Sequence, residues 1–358
     1  MARLYHPLMV GLRVAPPVVL LLAASWLTAC SGTPVAPPLT GAPPPVLDGA
    51  RTLVVALDGS GQYISIQDAI DAARKGDVVH IKAGAYPEDV TVHSKERLKI
   101  VGDGVDKVTI LGRDRVGSFH IGKWPYGATN IEISGLTIQE HGGLAMGIFN
   151  GRGIVLKNVL VNGLLFGQQV AGVRIEQCSL GGSETTGVQF ADSQAVLADN
   201  YIHDNDHGVT VAGKSDVRLE RNLITRSLFE GVVVTDQARA VLVSNTIVKN
   251  GGGVAFLGAS HSEAAGNIIG LNVAGVTIAP SAHVSLSHNA FFNSKDDYLR
   301  SGPPPTPAPD LKSQSDVREN PLFVNPQDGD FRLRPDSPLR KVGNFDYLGA
   351  LPPVSGTP

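Results

Sequence analysis

Charged side chains that could hold or protonate a ligand recur in three short loops of the sequence. The loops read GGSETTG (181–187), HDNDHG (203–208) and RSLFEG (226–231), and each ends at a glycine that opens a short alternating apolar segment. Together they carry six candidate residues: Glu184, Asp204, Asp206, His207, Arg226 and Glu230. If the loops lie side by side, their carboxylates are close enough to share a proton or to bind a cation.

Two kinds of chemistry follow from these residue types. We assign catalytic roles to Asp204, His207 and Arg226, because an acid, an imidazole and a guanidinium can move a proton and neutralise an acidic substrate. Candidate metal ligands are Glu184, Asp206 and Glu230, whose oxygen atoms suit Ca²⁺. The alternative is an ordinary solvated edge, on which Asp204 pairs with Arg226 and His207 merely ends a turn.

Other residues could bind a sugar without reacting with it. Gln169, Gln189 and Thr210 are expected to point outward from the segments near the glycines, where they could hydrogen-bond to hydroxyl groups. Trp124 and Tyr126, in the loop GKWPYG, could stack on a pyranose ring. Polar residues on an outer face also serve solubility, and loop aromatics often pack on their neighbours, so both alternatives stay open.

An internal repeat must position these loops. The repeat has the form V-x-L-x-x-N-x-I, and its pivot asparagine recurs every 22 or 23 residues, at Asn200, Asn222, Asn245, Asn267 and Asn289. Upstream, the same place is held by Leu136, Val159 and Cys178, and we interpret Cys178 as a small buried hydrophobic residue. Glu184 and Asp206 lie the same distance after their pivots, so the repeat predicts that they stack on consecutive coils.

The repeat length determines the fold class. About 22 residues are too few for a strand, a crossover helix and a second strand, so each coil must stack directly on the last in parallel. Crossovers between parallel strands are right-handed. The sequence therefore predicts an all-β, right-handed parallel β-helix, a solenoid of about ten coils. The pivot asparagines are expected to take the left-handed conformation of tight corners and to form a ladder of amides.

Residues 54–110 resemble the opening of the pectin-lyase-like superfamily, and of pectin methylesterases in particular. The resemblance lies in DGSGQY followed by SIQDAIDAA, in GAYPEDV (84–90) and in IVGDG (100–104). It implies a β-helix whose first coil is sealed by a short helix within residues 65–74. Where that family has its two catalytic aspartates, this chain has Gln169 and Gly187, so the resemblance does not imply methylesterase activity.

The first residues resemble a bacterial lipoprotein signal. Arg3 and Arg13 precede an apolar run that ends in Leu27-Thr28-Ala29-Cys30, which implies cleavage before Cys30 and lipid on that residue. Ser31 after the cysteine favours the outer membrane of a cell with two membranes. The apolar run is too short for a transmembrane helix, and Pro16 and Pro17 interrupt it.

The expected organisation has five parts: a signal peptide (1–29), a Pro-rich tether (30–46), the β-helix (47–300), a Pro-rich linker (301–319) and a C-terminal capping segment and tail (320–358). Removal of the signal would change the net charge from −3 to −5, and the basic residues are scattered, which disfavours nucleic-acid binding.

The leading functional hypothesis is an envelope-anchored protein that binds or modifies an acidic polysaccharide, by lyase or epimerase chemistry if it is an enzyme. The rival is a non-enzymatic module for adhesion or assembly. No G-x-S-x-G or H-E-x-x-H motif occurs, so motifs give no support to a serine hydrolase or a zinc protease.

Overall fold

The structure, a computed structural model, describes residues 49–113 and 117–355, and within them it leaves out the side chains of residues 141–142. The proposed signal peptide, the lipid site Cys30 and the whole of the tether lie outside the described residues. Within the described ranges, no helix is both long enough and apolar enough to cross a membrane.

The regular secondary structure of the described chain consists almost entirely of β-strands, apart from one short α-helix and a 3₁₀ turn at Pro309–Leu311. In the first half they are β1 (Thr52–Val55), then the helix α1 (Ile66–Ala72), β2 (Val78–Ile81), β3 (Gly84–Tyr86), β4 (Val90–Val92), β5 (Glu96–Gly102), β6 (Val108–Leu111), β7 (Phe119–Ile121), β8 (Thr129–Phe149), β9 (Val155–Gln168), β10 (Val173–Glu176), β11 (Ser179–Gly181), β12 (Thr186–Ala191), β13 (Gln194–Ala198), β14 (Tyr201–His203) and β15 (His207–Ala212). They continue as β16 (Asp216–Glu220), β17 (Leu223–Thr225), β18 (Glu230–Val234), β19 (Arg239–Val243), β20 (Thr246–Val248), β21 (Gly252–Phe256), β22 (His261–Ala265), β23 (Ile268–Gly270), β24 (Ala274–Ile278), β25 (His283–Ser287), β26 (Ala290–Phe292), β27 (Tyr298–Arg300), β28 (Thr306–Pro307), β29 (Phe323–Asn325), β30 (Asp330–Leu333), β31 (Arg340–Val342) and β32 (Phe345–Tyr347).

These strands stack into three parallel sheets, one on each side of a solenoid. The first sheet contains β1, β2, β5, β10, β13, β16, β19, β22 and β25, the second contains β3, β6, β11, β14, β17, β20, β23 and β26, and the third contains β4, β7, β12, β15, β18, β21, β24 and β27. The long strands β8 and β9 run through all three sheets. In the described residues the first sheet therefore has eleven strands, one more coil than the repeat predicted, and the fold class is confirmed.

Alternation within each strand builds the core. In β16, Val217 and Leu219 are completely buried while Arg218 between them is exposed. The same pattern in every coil places a continuous column of Val, Ile, Leu and Phe inside the solenoid. Burial of these side chains, at about 25 cal/mol per Å² of apolar surface, is the main force that stabilises the stack.

The predicted asparagine ladder is present at the corner between the first and second sheets. Asn222 accepts hydrogen bonds at Oδ1 from the backbone N (3.1 Å) and Nδ2 (2.9 Å) of Asn200, and donates from Nδ2 to Leu197 O (2.9 Å) and to Asn245 Oδ1 (3.0 Å). Asn245, Asn267 and Asn289 repeat this arrangement. The ladder ends at the buried Asp316, whose Oδ1 accepts from Asn289 N (2.8 Å) and Nδ2 (3.2 Å).

The expectation that these asparagines supply the left-handed turn is wrong. Positive φ angles fall instead on the residue before each pivot, for example Asp199 (57°), Arg221 (49°) and His288 (53°). The turn is thus made one residue early, so that the asparagine itself follows with its side chain directed into the corner. Asparagine recurs at the pivot because its amide makes the ladder contacts, and not because of its backbone conformation.

A second ladder, which the sequence analysis did not predict, occupies the corner between the second and third sheets. Ser183 N donates to Asn205 Oδ1 (3.0 Å), Ser227 N to Asn250 Oδ1 (2.9 Å) and Asn250 N to Asn272 Oδ1 (2.9 Å). This ladder also ends on a buried carboxylate, because Asn272 binds Asn293, which donates to Asp297. A side chain on the glycine that opens each third-sheet strand would collide here: at Gly231 an added Cβ would lie 3.0 Å from Asn250 Nδ2.

The N-terminal end of the solenoid is sealed by α1, as expected from the resemblance. Ser65 caps the helix through a hydrogen bond from Asp68 N (3.3 Å), and the carboxylate of Glu88 accepts from Ile66 N and Gln67 N. Ile66, Ala69 and Ile70 are completely buried against the first coil. Free backbone donors at a helix start favour such acceptors.

The segments after residue 300 are arranged differently from the predicted linker and cap. Part of the expected linker seals the C-terminal end of the solenoid: β28 pairs with β27, Val317 pairs with Ala290, and Leu311 packs on the main core. The expected capping segment packs on the outer face of the second sheet, where Phe331, Leu333 and Leu348 bury Val248 and Ile268. Its Asp328-Gly329 pair lies in the turn between β29 and β30.

Candidate functional site

Asp204 and Arg226 lie at equivalent positions of consecutive coils, at the corner between the second and third sheets. Both have left-handed backbone angles (φ 55° and 57°) and immediately precede the second-ladder residues Asn205 and Ser227. This turn directs their side chains outward and next to each other. Arg226 Nε and Nη2 donate to Asp204 Oδ1 and Oδ2, both at 2.7 Å, so the two residues form a bidentate ion pair.

The ion pair determines the protonation state of both groups. The bidentate hydrogen bonds from Arg226, aided by His203, lower the pKa of Asp204 to about 2, against the opposing effect of burial. The same contact raises the pKa of Arg226, whose Nη2 also donates to the hydroxyl of Tyr201 at 2.8 Å. The guanidinium of Arg226 is thus already bound to Asp204 and Tyr201. This agrees with the alternative interpretation, in which Asp204 and Arg226 form an ion pair on a solvated edge.

His203 connects this ion pair to the second sheet, although the sequence analysis did not select it. His203 Nδ1 lies 2.7 Å from Asp204 Oδ2, and His203 Nε2 lies 3.0 Å from Ser179 Oγ on the neighbouring strand β11. The ring of Tyr201 stacks on the imidazole, with centroids 4.1 Å apart. A histidine three residues after a pivot asparagine is the only sequence signal for this cluster, and it indicates position but no chemistry.

His207, the third predicted catalytic residue, belongs to a separate cluster. Its Nε2 lies 3.3 Å from Glu230 Oε2, and its ring lies against Phe229, with centroids 5.2 Å apart. The contact with His207 lowers the pKa of Glu230. The structure therefore divides the predicted catalytic residues between an Asp204–Arg226 pair and a His207–Glu230 pair.

The predicted metal ligands are only partly brought together. Asp206 N donates to Ser183 O (3.2 Å), which places Asp206 and Glu184 at equivalent positions of consecutive coils, as expected. The next coil continues this column with Leu228, which is 66% exposed, whereas Glu230 contacts His207. The described part of the chain contains no group of three or more His, Cys, Asp or Glu that could hold a metal ion. The Ca²⁺ hypothesis stays a prediction about two carboxylates.

The predicted sugar-binding residues occupy two different places. Gln189 and Thr210 are paired in register on the outer face of the third sheet. Gln169 is not on that face as expected: it follows β9 in a left-handed turn (φ 52°), because the strand ends at Gln168. Trp124 and Tyr126, 73% and 60% exposed, lie in the turn between β7 and β8.

The turns that hold Gln169, Trp124 and Tyr126 join the third sheet to the first, whereas Asp204 lies where the second sheet meets the third. The two groups of candidates are therefore separated by the length of a third-sheet strand. A single compact site containing all of them is excluded by this arrangement.

Three aromatic residues on the outer face of the third sheet were missed. The rings of His120 and Phe149 have centroids 5.9 Å apart, and those of Phe149 and Phe166 are 6.0 Å apart in an edge-on arrangement. They lie on β7, β8 and β9 and are half-buried. In the sequence, Phe149 and Phe166 each follow a buried apolar residue, so alternation would place both rings on the outer face. An apolar residue in a strand is usually assigned to the core, which is why they were missed.

Cys178 behaves as the sequence analysis predicted. It is buried in the first-ladder column, with its backbone N donating to Asn200 Oδ1 at 3.0 Å. Burial raises the pKa of its thiol to about 11. A thiol that stays protonated in this way is a poor nucleophile.

Three stacked parallel sheets with asparagine ladders at two corners define a parallel β-helix. The family model described as right handed beta helix region matches residues 125–291, and the pectinesterase family model matches residues 52–139. The fold is thus a right-handed parallel β-helix, as the sequence predicted, and the first third of the described chain is similar to pectinesterases.

Known proteins resemble this chain over parts of their length. Probable pectinesterase 56 of Arabidopsis thaliana is 34% identical over 130 residues, which cover 34% of this chain and 45% of that protein. Probable pectinesterase/pectinesterase inhibitor 6 of the same plant is 35% identical over 103 residues, 27% of this chain and 17% of that protein. The chain spans less than half of the length of either relative.

Among solved structures, pectate lyase Pel9A superposes with a TM-score of 0.48 at 11% identity, over 85% of this chain and 96% of that chain. The surface adhesin PfbA of Streptococcus pneumoniae superposes with a TM-score of 0.46 at 17% identity, over 65% and 82%. Activity must therefore be argued from the residues of this chain.

Proposed function

We propose that the protein binds a polysaccharide along the outer face of its third sheet. The observation that carries this proposal is a column of residues at one register in ten successive coils: Thr91, His120, Gly147, Phe166, Gln189, Thr210, Val233, Ala255, Thr277 and Leu299. At about 4.8 Å per coil the column is roughly 43 Å long. A repeated, linear surface of this length suits a linear polymer better than a small molecule.

The chemistry of the column suits sugars. The amide of Gln189 and the hydroxyl of Thr210 can donate to and accept from sugar hydroxyls, and the aromatic rings of Phe149 and Phe166 offer an apolar surface for stacking. The ten column residues include no Asp or Glu, so a polymer of uronic acids would meet no like charge along the column itself. We therefore propose an acidic polysaccharide as the ligand.

For a reaction we propose lyase or epimerase chemistry, with His207 as the group that accepts a proton from the sugar. His207 begins β15, at the rim of the same sheet, and Glu230 holds its imidazole from the adjacent coil. Asp204 and Arg226 form an ion pair with each other, so we propose that they stabilise the loops at the edge of the sheet and do not transfer a proton to or from the sugar. The rival function, non-enzymatic adhesion, would need the column but not His207.

Binding and turnover can be separated in one set of measurements. Polygalacturonate, alginate and uncharged dextran would be titrated calorimetrically into the purified chain, with and without Ca²⁺. We expect affinity for a uronate polymer and about a tenfold loss, or 1.4 kcal/mol, in Gln189→Ala/Thr210→Ala. Gln194→Ala, on an exposed residue of the first sheet, is the matched control.

The outcomes discriminate between the hypotheses. New ultraviolet absorbance from an unsaturated product, lost in His207→Gln while binding persists, supports the lyase. A changed ratio of sugar epimers supports the epimerase, and binding without either supports adhesion. Absence of binding to all three polymers would refute the proposal.

We also propose that Cys30 carries a lipid that anchors the protein to the cell envelope, in the outer membrane of a cell that has one. Support comes from the signal-like sequence before Cys30 alone.

A further inference from the structure

We propose that Ser179, His203 and Asp204 form a serine-hydrolase relay on the outer face of the second sheet, acting on a carboxylic ester whose acyl group enters an adjoining cavity. This inference does not rest on polysaccharide binding, because these residues belong to a different face of the solenoid.

The hydrogen bonds have the connectivity that a serine nucleophile requires. Ser179 Oγ lies 3.0 Å from His203 Nε2, and His203 Nδ1 lies 2.7 Å from Asp204 Oδ2. The nucleophile thus contacts a base, and the base contacts a carboxylate that fixes its tautomer and orientation. The three residues come from β11, β14 and the turn after β14, so no sequence motif links them.

The fold holds the imidazole in place from two sides. The ring of Tyr201 stacks on it, inclined by 24°. On β11, a Cβ added at Gly181 would lie 2.8 Å from His203 Cε1 and 2.9 Å from Nδ1, so the absence of a side chain there gives the ring its space. Orientation by packing, and not only by hydrogen bonds, is a property of a preorganised site.

Arg226 completes the support of the relay. Its bidentate contact holds Asp204 as a carboxylate, and its Nη2 reaches the Tyr201 hydroxyl. That hydroxyl accepts this bond and so keeps its own hydrogen for donation. Arg226 is therefore a positioning residue.

The serine also borders a cavity. This cavity, of about 340 Å³, is lined by Ser179, Tyr201 and Cys178, by the apolar Val105, Val159 and Leu160, and by the polar Asn158, Gln177 and Asp199. Its apolar part suits a small acyl group. Tyr201, Asn158 and Gln177 bring the hydrogen-bond donors that could stabilise the oxyanion of an ester carbonyl.

The reaction balances with the ester and water alone. Ser179 Oγ bonds to the acyl carbon while its proton passes to His203 Nε2, and the bond from the acyl carbon to the alcohol oxygen then breaks as the alcohol takes that proton. Water attacks the acyl-serine with the same base, releasing the carboxylic acid and restoring Ser179. Asp204 stays ionised throughout.

The test uses the full chain, a fluorophosphonate probe and p-nitrophenyl acetate. We expect the probe to add one phosphonyl group to the peptide containing Ser179, as detected by mass spectrometry. Ser179→Ala should lose both the label and the hydrolysis above background, and His203→Gln should lower the hydrolysis rate at least about 100-fold. Tyr201→Phe should lower it without preventing labelling of Ser179.

His80→Gln is the matched control, because His80 Nε2 forms a similar surface contact with Asp103 Oδ1 (2.7 Å) but borders none of these groups. It should retain wild-type hydrolysis and labelling. Labelling of another residue, no labelling of the wild type, or equal hydrolysis by wild type and Ser179→Ala would overturn the proposal. The wild-type labelling result decides the matter even if a variant fails to fold.

Discussion

Truncation of one ladder residue in mid-stack, Asn222→Ala, tests whether the amide ladder stabilises the solenoid. The change removes both acceptor contacts to Asn200 and both donor contacts from Asn222 Nδ2. The backbone N of Asn200 then has no side-chain acceptor in a fully buried corner, while its Nδ2 keeps Ile175 O. One orphaned buried group costs about 1–3 kcal/mol, and the partial losses add to it.

We therefore expect Asn222→Ala to lower the free energy of unfolding by about 2–4 kcal/mol. Urea unfolding followed by circular dichroism would measure it as a lower midpoint at unchanged slope. Asn320→Ala is the matched control, because Asn320 is exposed and accepts only from Leu322 N, and it should cost less than about 0.5 kcal/mol. Equal midpoints for the two variants would refute the ladder's contribution.

Four further predictions follow from the structure and the sequence. Asn289→Ala should cost as much as Asn222→Ala despite its place near the end, because Asn289 is completely buried and bound to Asp316; a clearly smaller midpoint shift in urea would contradict this. The pKa of Asp204 is lowered to about 2, so its stabilising effect is fully present above its ordinary pKa of 3.8 and is lost as the pH falls from that value through about 2; the melting temperature across this range should decline more steeply for wild type than for Asp204→Asn, and parallel curves would contradict the assignment. If Glu184 and Asp206 bind Ca²⁺, then Ca²⁺ should raise the melting temperature of wild type but not of Asp206→Asn, and calorimetry without heat would return both to a solvated edge. Cys30→Ser should release a soluble or unprocessed form of the chain on cell fractionation, and persistence of a processed form in membranes would contradict lipid attachment.

The repeat made the stack predictable because its signal is periodic and physical. The pivot asparagines recur at a spacing that predicts stacked coils, and the alternation that buries Val217 and Leu219 follows from that architecture. The alignment of Glu184 with Asp206 followed from the same period. These features depend on residues one coil away, and the repeat period of 22 or 23 residues identifies those residues in the sequence.

Contacts that depend on corner geometry were not predictable in this way. The sequence did not reveal that the second-ladder residues Asn205 and Asn250 pair with the coil above, because a serine at 227 interrupts their spacing. Gln169 fell outside the strand because β9 ends one residue earlier than its apolar pattern suggested. Ser179 and His203 are not directly opposite each other on β11 and β14, and their contact needs the space that Gly181 leaves for the imidazole. An alignment of the repeats shows neither of these features.

The ladders also give the solenoid a direction. In each rung the amide nitrogen points toward the following coil and the oxygen toward the preceding one, so the side-chain dipoles add along the axis. Such a chain can be lengthened in the middle by a coil with asparagine at the pivot, because every interior rung presents the same two ends. It cannot be extended past Asp316 or Asp297, because a carboxylate only accepts and has no proton to offer to another rung. The number of coils can therefore change by duplication or deletion of interior repeats, while Asp316 and Asp297 still end the two ladders.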